Sequence, residues 1–145
     1  MKTTELQLLI GLNRTVNELN RKTAHLCLQH KLTLSQFGVL EALYHKGELT
    51  IGQVKELILS SDGTIPVVIK NLEKNNLIQR KAHPSDKRCT LLKITSKGKK
   101  LIDEVFPLNV KLIKKEMKIW TADEKKVLLK LLKKFASPDE KKKKI

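Results

Sequence analysis

Aromatic side chains are scarce in this chain: one Trp, one Tyr and three Phe make up 3% of it. Recognition of RNA or single-stranded DNA by base stacking needs several exposed rings, so that mode is poorly supplied. Cysteine is scarce too, and Cys27 and Cys89 neither make a disulfide framework nor match a zinc-ligand spacing. Both read as reduced, structural thiols, and no metal or cofactor is expected. No apolar run approaches the roughly 18–20 residues that span a bilayer, and Met1-Lys2-Thr3-Thr4-Glu5 lacks a compact apolar signal region. A cytoplasmic protein is expected. The strings of common active sites are missing as well: there is no His-Glu-x-x-His, no phosphate-loop Gly-Lys-Ser/Thr and no Gly-x-Ser-x-Gly. His25 and His30 lie five apart, His45 and His83 stand alone, and nothing pairs an acid with a base, so an enzyme is not expected.

Acid is in short supply relative to base. Fifteen Asp+Glu face 30 Lys+Arg, a formal net charge of +15 over 145 residues. Such a field attracts polyanions and speeds encounter with them. Hydrophobic residues at 40% and charged residues at 31% supply enough apolar material for a core. The length fits one domain, or one divided into two helical lobes.

Helical periodicity dominates both ends of the chain. Leu9, Leu12, Val16, Leu19, Thr23 and Leu26 form one stripe on a helix from about Thr4 to Gln29. Thr33 with Gln36 is a capping box opening a second helix, about Leu34–His45, with Phe37, Leu40 and Tyr44 on one face. Thr50 with Gln53 repeats that signal for a short helix whose Ile51, Val54, Leu57 and Ile58 face inward. After the turn cluster Ser60-Ser61-Asp62-Gly63, a further helix turns Ile65, Val68, Ile69 and Leu72 inward and Thr64, Pro66, Val67, Lys70, Asn71 and Lys74 outward. Pro66, which lacks an N–H, belongs in its first turn. Asn75-Asn76 ends it, because Asn tolerates the left-handed conformation.

Two helices joined by a tight turn make a helix-turn-helix. Next to it stand two strand candidates, Leu77–Lys81 and Thr90–Ile94, flanking a basic tip, Lys81-Ala82-His83-Pro84-Ser85-Asp86-Lys87-Arg88. A two-stranded hairpin is marginal alone and must lie against the helices as a wing. Beyond it, Leu101, Val105, Leu108 and Leu112 form one stripe of a long helix and Ile102, Phe106, Ile113 and Met117 another, with a kink expected at Pro107. Thr121 with Glu124 caps a last helix carrying Val127, Leu128, Leu131, Leu132 and Phe135. The fold class is therefore mainly α: a winged helix-turn-helix DNA-binding lobe with a small β-hairpin wing, plus a helical lobe from the N- and C-terminal helices. Residues 1–32 read as a dimerisation helix, 33–95 as the DNA-binding lobe, 96–136 as further dimerisation helices, and 137–145 as a basic, disordered tail. The terminal helices carry more apolar surface than so small a head can cover, so a homodimer is expected. Twofold symmetry would then set two recognition helices about 34 Å apart on a palindromic site.

The order of elements and several residues resemble the MarR family of bacterial transcription regulators, over nearly the whole chain up to Phe135. Asn71-Leu72-Glu73-Lys74-Asn75-Asn76-Leu77-Ile78-Gln79-Arg80 is similar to the family's recognition-helix exit, and Asp86-Lys87-Arg88 to its Asp-x-Arg wing motif. Asn76 stands where the family usually has Gly. The resemblance implies a winged-helix homodimer that binds double-stranded DNA and usually represses transcription. It also implies that a small-molecule effector, often phenolic, can enter between head and dimer helices. Leu12, Val16, Tyr44 and Phe106 could serve such a ligand, but at helical spacing such residues are more often plain core, and no ligand site is assigned to them.

The DNA-contact roles have physical grounds. Arg88 carries a planar guanidinium suited to a narrow minor groove, and Asp86 could hold it by a paired hydrogen bond. Thr64, Pro66, Val67 and Lys70 form the groove-facing set, with Ser61 and the Gly63 amide near phosphate. Lys55, Lys81, His83 and Lys87 would add phosphate contacts. Arg88 beside Cys89 would lower the thiol's pKa. The competing readings are a winged-helix module that holds another protein and a non-specific DNA-binding protein; lysine clusters at the wing, in place of aromatic anchors, argue against the first.

Overall fold

A computed structural model of the chain describes residues 3–58 and 64–136. The order is α1 (Thr4–Gln29), α2 (Leu34–Lys46), β1 (Leu49–Thr50), α3 (Ile51–Leu57), α4 (Ile65–Lys74), β2 (Ile78–Ala82), β3 (Thr90–Ile94), α5 (Ser96–Glu116) and α6 (Ala122–Leu132). The expected capping boxes are formed in full at Thr33/Gln36, Thr50/Gln53 and Thr121/Glu124, each with the Thr hydroxyl accepting from the backbone N–H three residues on and the Gln or Glu side chain returning the bond. The Ser60–Gly63 turn cluster and the tail from residue 137 lie outside the described residues.

Residues up to Leu112 form one compact unit. Its core joins Phe37, Val39, Leu40 and Leu43 of α2, Val54 of α3, Ile65, Val68, Ile69 and Leu72 of α4, Leu92 and Ile94 of β3, and Ile102 and Val105 of α5. The inward face of α4 is the one its periodicity predicts. By contrast α2 buries more than one stripe, because it packs against α1, α3, α4 and β3 at once. Leu57 departs from expectation: it is 37% exposed. It ends α3, and only Val54 of that helix is fully enclosed.

The sheet has three antiparallel strands in the order β1-β3-β2, not the two expected. Leu49 and Thr50 pair with Leu92 and Leu91, while β2 pairs with β3 from Ile78↔Ile94 to Ala82↔Thr90. Two residues are too few to show a strand period, and Thr50 also caps α3. The added strand covers the inner edge of the hairpin, the support such a ribbon needs. Pro107 does not interrupt α5, which remains helical through Glu116.

Three side-chain contacts hold the middle of α5 to the rest of this unit. Thr23 Oγ1 donates to Asn109 Oδ1 at 2.8 Å, Tyr44 Oη donates to Asp103 Oδ1 at 2.5 Å, and His30 Nδ1 lies 3.5 Å from Glu104. Where α5 meets the hairpin, Gly98 leaves no room for a Cβ: one would stand 2.3 Å from the Leu77 carbonyl oxygen and 2.7 Å from Ile94 Cγ1. The first half of α1 shows the opposite condition, with Leu6, Leu8, Leu9, Ile10, Leu12 and Val16 all exposed.

Residues from Ile113 onward form a second unit, of which 113–136 are described. It contains the end of α5, a 3-10 turn at Met117–Ile119, α6, and a second 3-10 turn at Lys133–Phe135. Val127, Leu131, Leu132 and Phe135 are exposed, Phe135 to 87%.

Gly98→Ala should lower stability by about 1–3 kcal/mol, since a backbone carbonyl must move to admit the methyl. Gly52→Ala, which meets only Thr50 Oγ1 at 3.9 Å, should be neutral or gain up to about 1 kcal/mol. Chemical denaturation of the two variants checks the contrast.

Candidate nucleic-acid interface

The exit of α4 fixes how the wing leaves the helix. The Asn76 N–H donates to Glu73 O at 2.9 Å and the Leu77 N–H to Leu72 O at 2.9 Å, with Asn76 in the left-handed region at φ 60°. This is a Schellman closure, in which Asn takes the place usually held by Gly. The Leu77 carbonyl then accepts from the Thr95 N–H at 3.1 Å, and Thr95 Oγ1 donates to Asn76 O at 2.7 Å. Arg80 Nε donates to Glu73 Oε1 at 2.6 Å, linking β2 back to α4. Helix exit and both strand roots thus share one hydrogen-bonded node.

The outer face of α4 carries Thr64, Pro66, Val67, Lys70, Asn71 and Lys74, all exposed. Thr64 occupies the N-cap position and Pro66 lies in the first turn, where its missing N–H costs no helical bond. Lys55 is exposed in the last turn of α3. Ser61 and Gly63 fall outside the described residues.

At the wing tip, side chains turn inward to cap the loop. His83 Nδ1 accepts from the backbone N–H groups of Ser85 at 3.2 Å and Asp86 at 3.0 Å. A nitrogen that accepts carries no proton, so the neutral ring bears its hydrogen on Nε2. Asp86 Oδ1 accepts from the Arg88 N–H at 3.0 Å, the Asp86 carbonyl accepts from the Cys89 N–H at 3.1 Å, and Cys89 Sγ donates to Asp86 Oδ2 at 3.5 Å. These bonds hold the Asp86 carboxyl below the usual carboxylate range, the Arg88 backbone N–H being the main cause and the Cys89 thiol the next.

Two expectations need correction. Asp86 does not hold the Arg88 guanidinium by a paired hydrogen bond: Arg88 Nε lies 3.5 Å from Oδ1 and the side chain is 93% exposed. The carboxylate is committed to the loop backbone, so it sets where Arg88 starts and leaves the guanidinium extended. Nor does Arg88 lower the Cys89 pKa. The Asp86 carboxylate accepts the thiol hydrogen bond and pushes that pKa up, with lesser help from burial. Cys27, wholly buried on α1, is pushed up to about 11 by burial and then by the charge of Glu41.

The basic residues divide into two sets. Lys81 Nζ lies 3.3 Å from Glu48 Oε1, so its charge is largely compensated, and Arg80 is paired with Glu73. The Glu48 and Glu73 pairings gave no sequence signal, since they join residues 33 and seven positions apart across elements. Lys55, Lys70 and Lys87 are exposed and have no ion pair among the described residues. The residues suggested for an effector fall into two places. Tyr44 and Phe106 both pack on His45, with ring centroids at 5.1 and 4.6 Å, whereas Leu12 and Val16 lie on the exposed half of α1.

A helix-turn-helix scaffold with a capped basic hairpin is thus defined, and comparison with known proteins identifies its kind. Residues 21–105 match the family described as transcriptional regulator SarA/Rot. The regulator MhqR of Bacillus subtilis is 34% identical over 128 residues, 88% of each chain. This chain belongs to the MarR family of winged helix-turn-helix transcription regulators. Among solved structures, a MarR mutant from E. coli complexed with operator DNA is 26% identical, with a TM-score of 0.73 over 93% of this chain and 100% of its own. NadR in complex with 4-hydroxyphenylacetate shares the fold at 20% identity, with a TM-score of 0.80 over 95% and 98% of the two chains. As a MarR-type regulator the chain is a DNA-binding protein of transcription, and its mainly helical fold with a small antiparallel sheet is that of the family.

Two outcomes follow from the wing and the thiols. Asp86→Ala should loosen the tip and weaken DNA binding about threefold to tenfold, the effect of losing one or two net hydrogen bonds. Asp86→Asn, which keeps an acceptor, should lose less, and the depressed Asp86 pKa means that the cap is intact through the ordinary carboxylate range and is lost only as pH falls through the lowered value. For Cys27 the sign is reversed: the folded thiol keeps a proton that the unfolded chain releases, so stability is unaffected below the ordinary thiol range and declines as pH rises from there to about 11. Denaturation at about pH 8 and about pH 10, compared with Cys27→Val, isolates that component.

Proposed function

We propose that the chain is a cytoplasmic, homodimeric repressor that reads a palindromic operator, with α4 in the major groove and Arg88 in the flanking minor groove. The observation that carries this reading is the wing tip: a guanidinium 93% exposed, on a loop whose backbone is pre-shaped by Asp86 and His83. Pre-shaping lowers the ordering cost of binding, and a narrow minor groove attracts such a cation. Thr64, Pro66, Val67 and Lys70 face the bases, Pro66 and Val67 offering apolar contact to a thymine methyl. Lys55, Lys87 and the Nε2–H of His83 reach phosphates, together with Ser61 and Gly63. Lys81 contributes less, being paired with Glu48. The MarR relative complexed with operator DNA supports this placement. Occupancy of an operator by a dimer blocks access to the promoter, which is the physical route to repression.

The exposed apolar residues of α1 and α6 are the dimerisation surface in this reading, so residues 1–32 and 96–136 act as the dimer lobe, 33–95 as the reading head and 137–145 as a basic tail. Twofold symmetry sets the two α4 helices about 34 Å apart. An effector of phenolic type, the class suggested by the NadR complex, would engage the Tyr44–His45–Phe106 cluster between α2 and α5, where Tyr44 already bonds Asp103. The face of α4 offers no aromatic anchor, which disfavours a protein-binding module.

Arg88→Ala should cost about 1–3 kcal/mol of operator affinity, roughly fivefold to 150-fold, and reduce the salt slope by about one. Unchanged affinity at several salt concentrations would remove Arg88 from the interface. Light scattering at micromolar concentration should give the mass of a dimer, and a monomer would contradict the twofold arrangement.

A further inference from the structure

The positive charge of this chain is not concentrated where the DNA-reading elements are. From Thr33 to Thr95 there are nine Lys+Arg against six Asp+Glu, and three of the nine, Arg80, Lys81 and Arg88, lie within 4 Å of a carboxylate. From Ser96 to the end there are sixteen against seven. The described part of the second unit, 113–136, holds eight lysines and three acids, and none of those lysines has an ion pair among the described residues. The reading head damps its own field, while α6 and its flanks leave theirs uncompensated.

On α6 these lysines form a row. Lys126, Lys130 and Lys134 recur every four residues along the helix and its terminal turn, with Lys133 beside them, and all are exposed. Successive members stand about 6 Å apart along the axis. Val127, Leu131 and Phe135 recur at the same interval one position on, about 100° round the helix from the row, and Leu128 and Leu132 continue that apolar face away from it. The helix dipole accounts for cations in the last turn only. Lys125 and Lys126 stand near the other end, where it opposes them, so local helix physics does not explain the row.

We propose that the Lys126–Lys130–Lys134 row of α6 is a second DNA-binding surface, holding the phosphate backbone of a duplex segment other than the one at the reading head. The chemistry points to phosphate backbone rather than bases. Lysine is a point charge without the planar fork that reads base edges, and the row has no Arg or aromatic residue. Duplex DNA presents a negative charge about every 1.7 Å of its axis, so a straight row of lysines meets phosphates without regard to sequence. The inference rests on the proposed function in one respect: the apolar side of α6 is covered by the second chain, which leaves the lysine side outward. An anionic lipid surface would instead use that apolar side, Phe135 above all.

The test uses the full-length protein on an immobilised short operator duplex, with capture of a labelled second duplex that lacks the operator. Wild type should capture it. The triple variant Lys126→Gln/Lys130→Gln/Lys134→Gln should hold the short operator with unchanged affinity yet lose most capture, and its salt slope for the second duplex should fall by about two to three. The corresponding triple Arg variant should restore capture. Equal capture by wild type and the Gln variant would overturn the proposal, as would absence of capture by wild type, including the case where it binds anionic phosphatidylglycerol vesicles in a Phe135-dependent manner. Failure of the operator reading itself would appear separately, as short-duplex binding insensitive to Arg88→Ala.

Discussion

The Leu77 backbone, through its N–H and its carbonyl, is the joint on which the helix–hairpin unit depends. Its N–H closes the end of α4, its carbonyl accepts from Thr95 just beyond β3, and Gly98 lies so near that same carbonyl that a Cβ there would clash with it. The backbone of one residue therefore fixes α4, the wing and the start of α5 together. A helix and a hairpin linked by a free hinge would sample many relative angles, and binding would have to select one of them. Here the helix exit, the sheet register and a glycine that cannot carry a side chain define a single angle. The third strand, Leu49–Thr50, braces the hairpin from its inner edge.

Much of this was legible in the sequence because it is local. Capping boxes at Thr33, Thr50 and Thr121 are three-residue signals, and each is formed. The inward face of α4 follows from helical spacing, and Asn76 takes the left-handed position that its chemistry allows. The failures are equally physical. Strand β1 is too short to show a period, α2 buries several sides and so lacks a single stripe, and Leu57 lies at a helix end where periodicity stops predicting burial. At the wing, sequence spacing suggested a carboxylate–guanidinium pair, but a carboxylate two residues before an N–H is better placed to accept from the backbone. Asp86 does so, and the same choice explains why the Cys89 thiol is made less acidic.

Charge also takes a different meaning once its placement is known. A net +15 suggests a strongly attractive reading head, yet Glu48 and Glu73 neutralise Lys81 and Arg80 at the base of the wing. Those pairs add little stability at the surface. Under the proposed function their consequence is selectivity: fewer free cations near α4 and the wing would mean less indiscriminate phosphate binding, leaving a larger share of the contact to Arg88, Lys87 and Lys70. The larger excess of lysine over acid lies instead from Ser96 onward.

The central claim is that α4 and the wing, held at one angle by the Leu77 joint, engage adjacent grooves of one duplex. Iron-chelate cleavage from Val67→Cys and from Lys87→Cys, each in a Cys89→Ser background on operator DNA, tests it most directly. The account predicts two sharp sets of cuts, the first centred in a major groove and the second in the neighbouring minor groove, repeated symmetrically in both half-sites. Diffuse cutting from position 87, or cuts from both positions within the same groove, would contradict it.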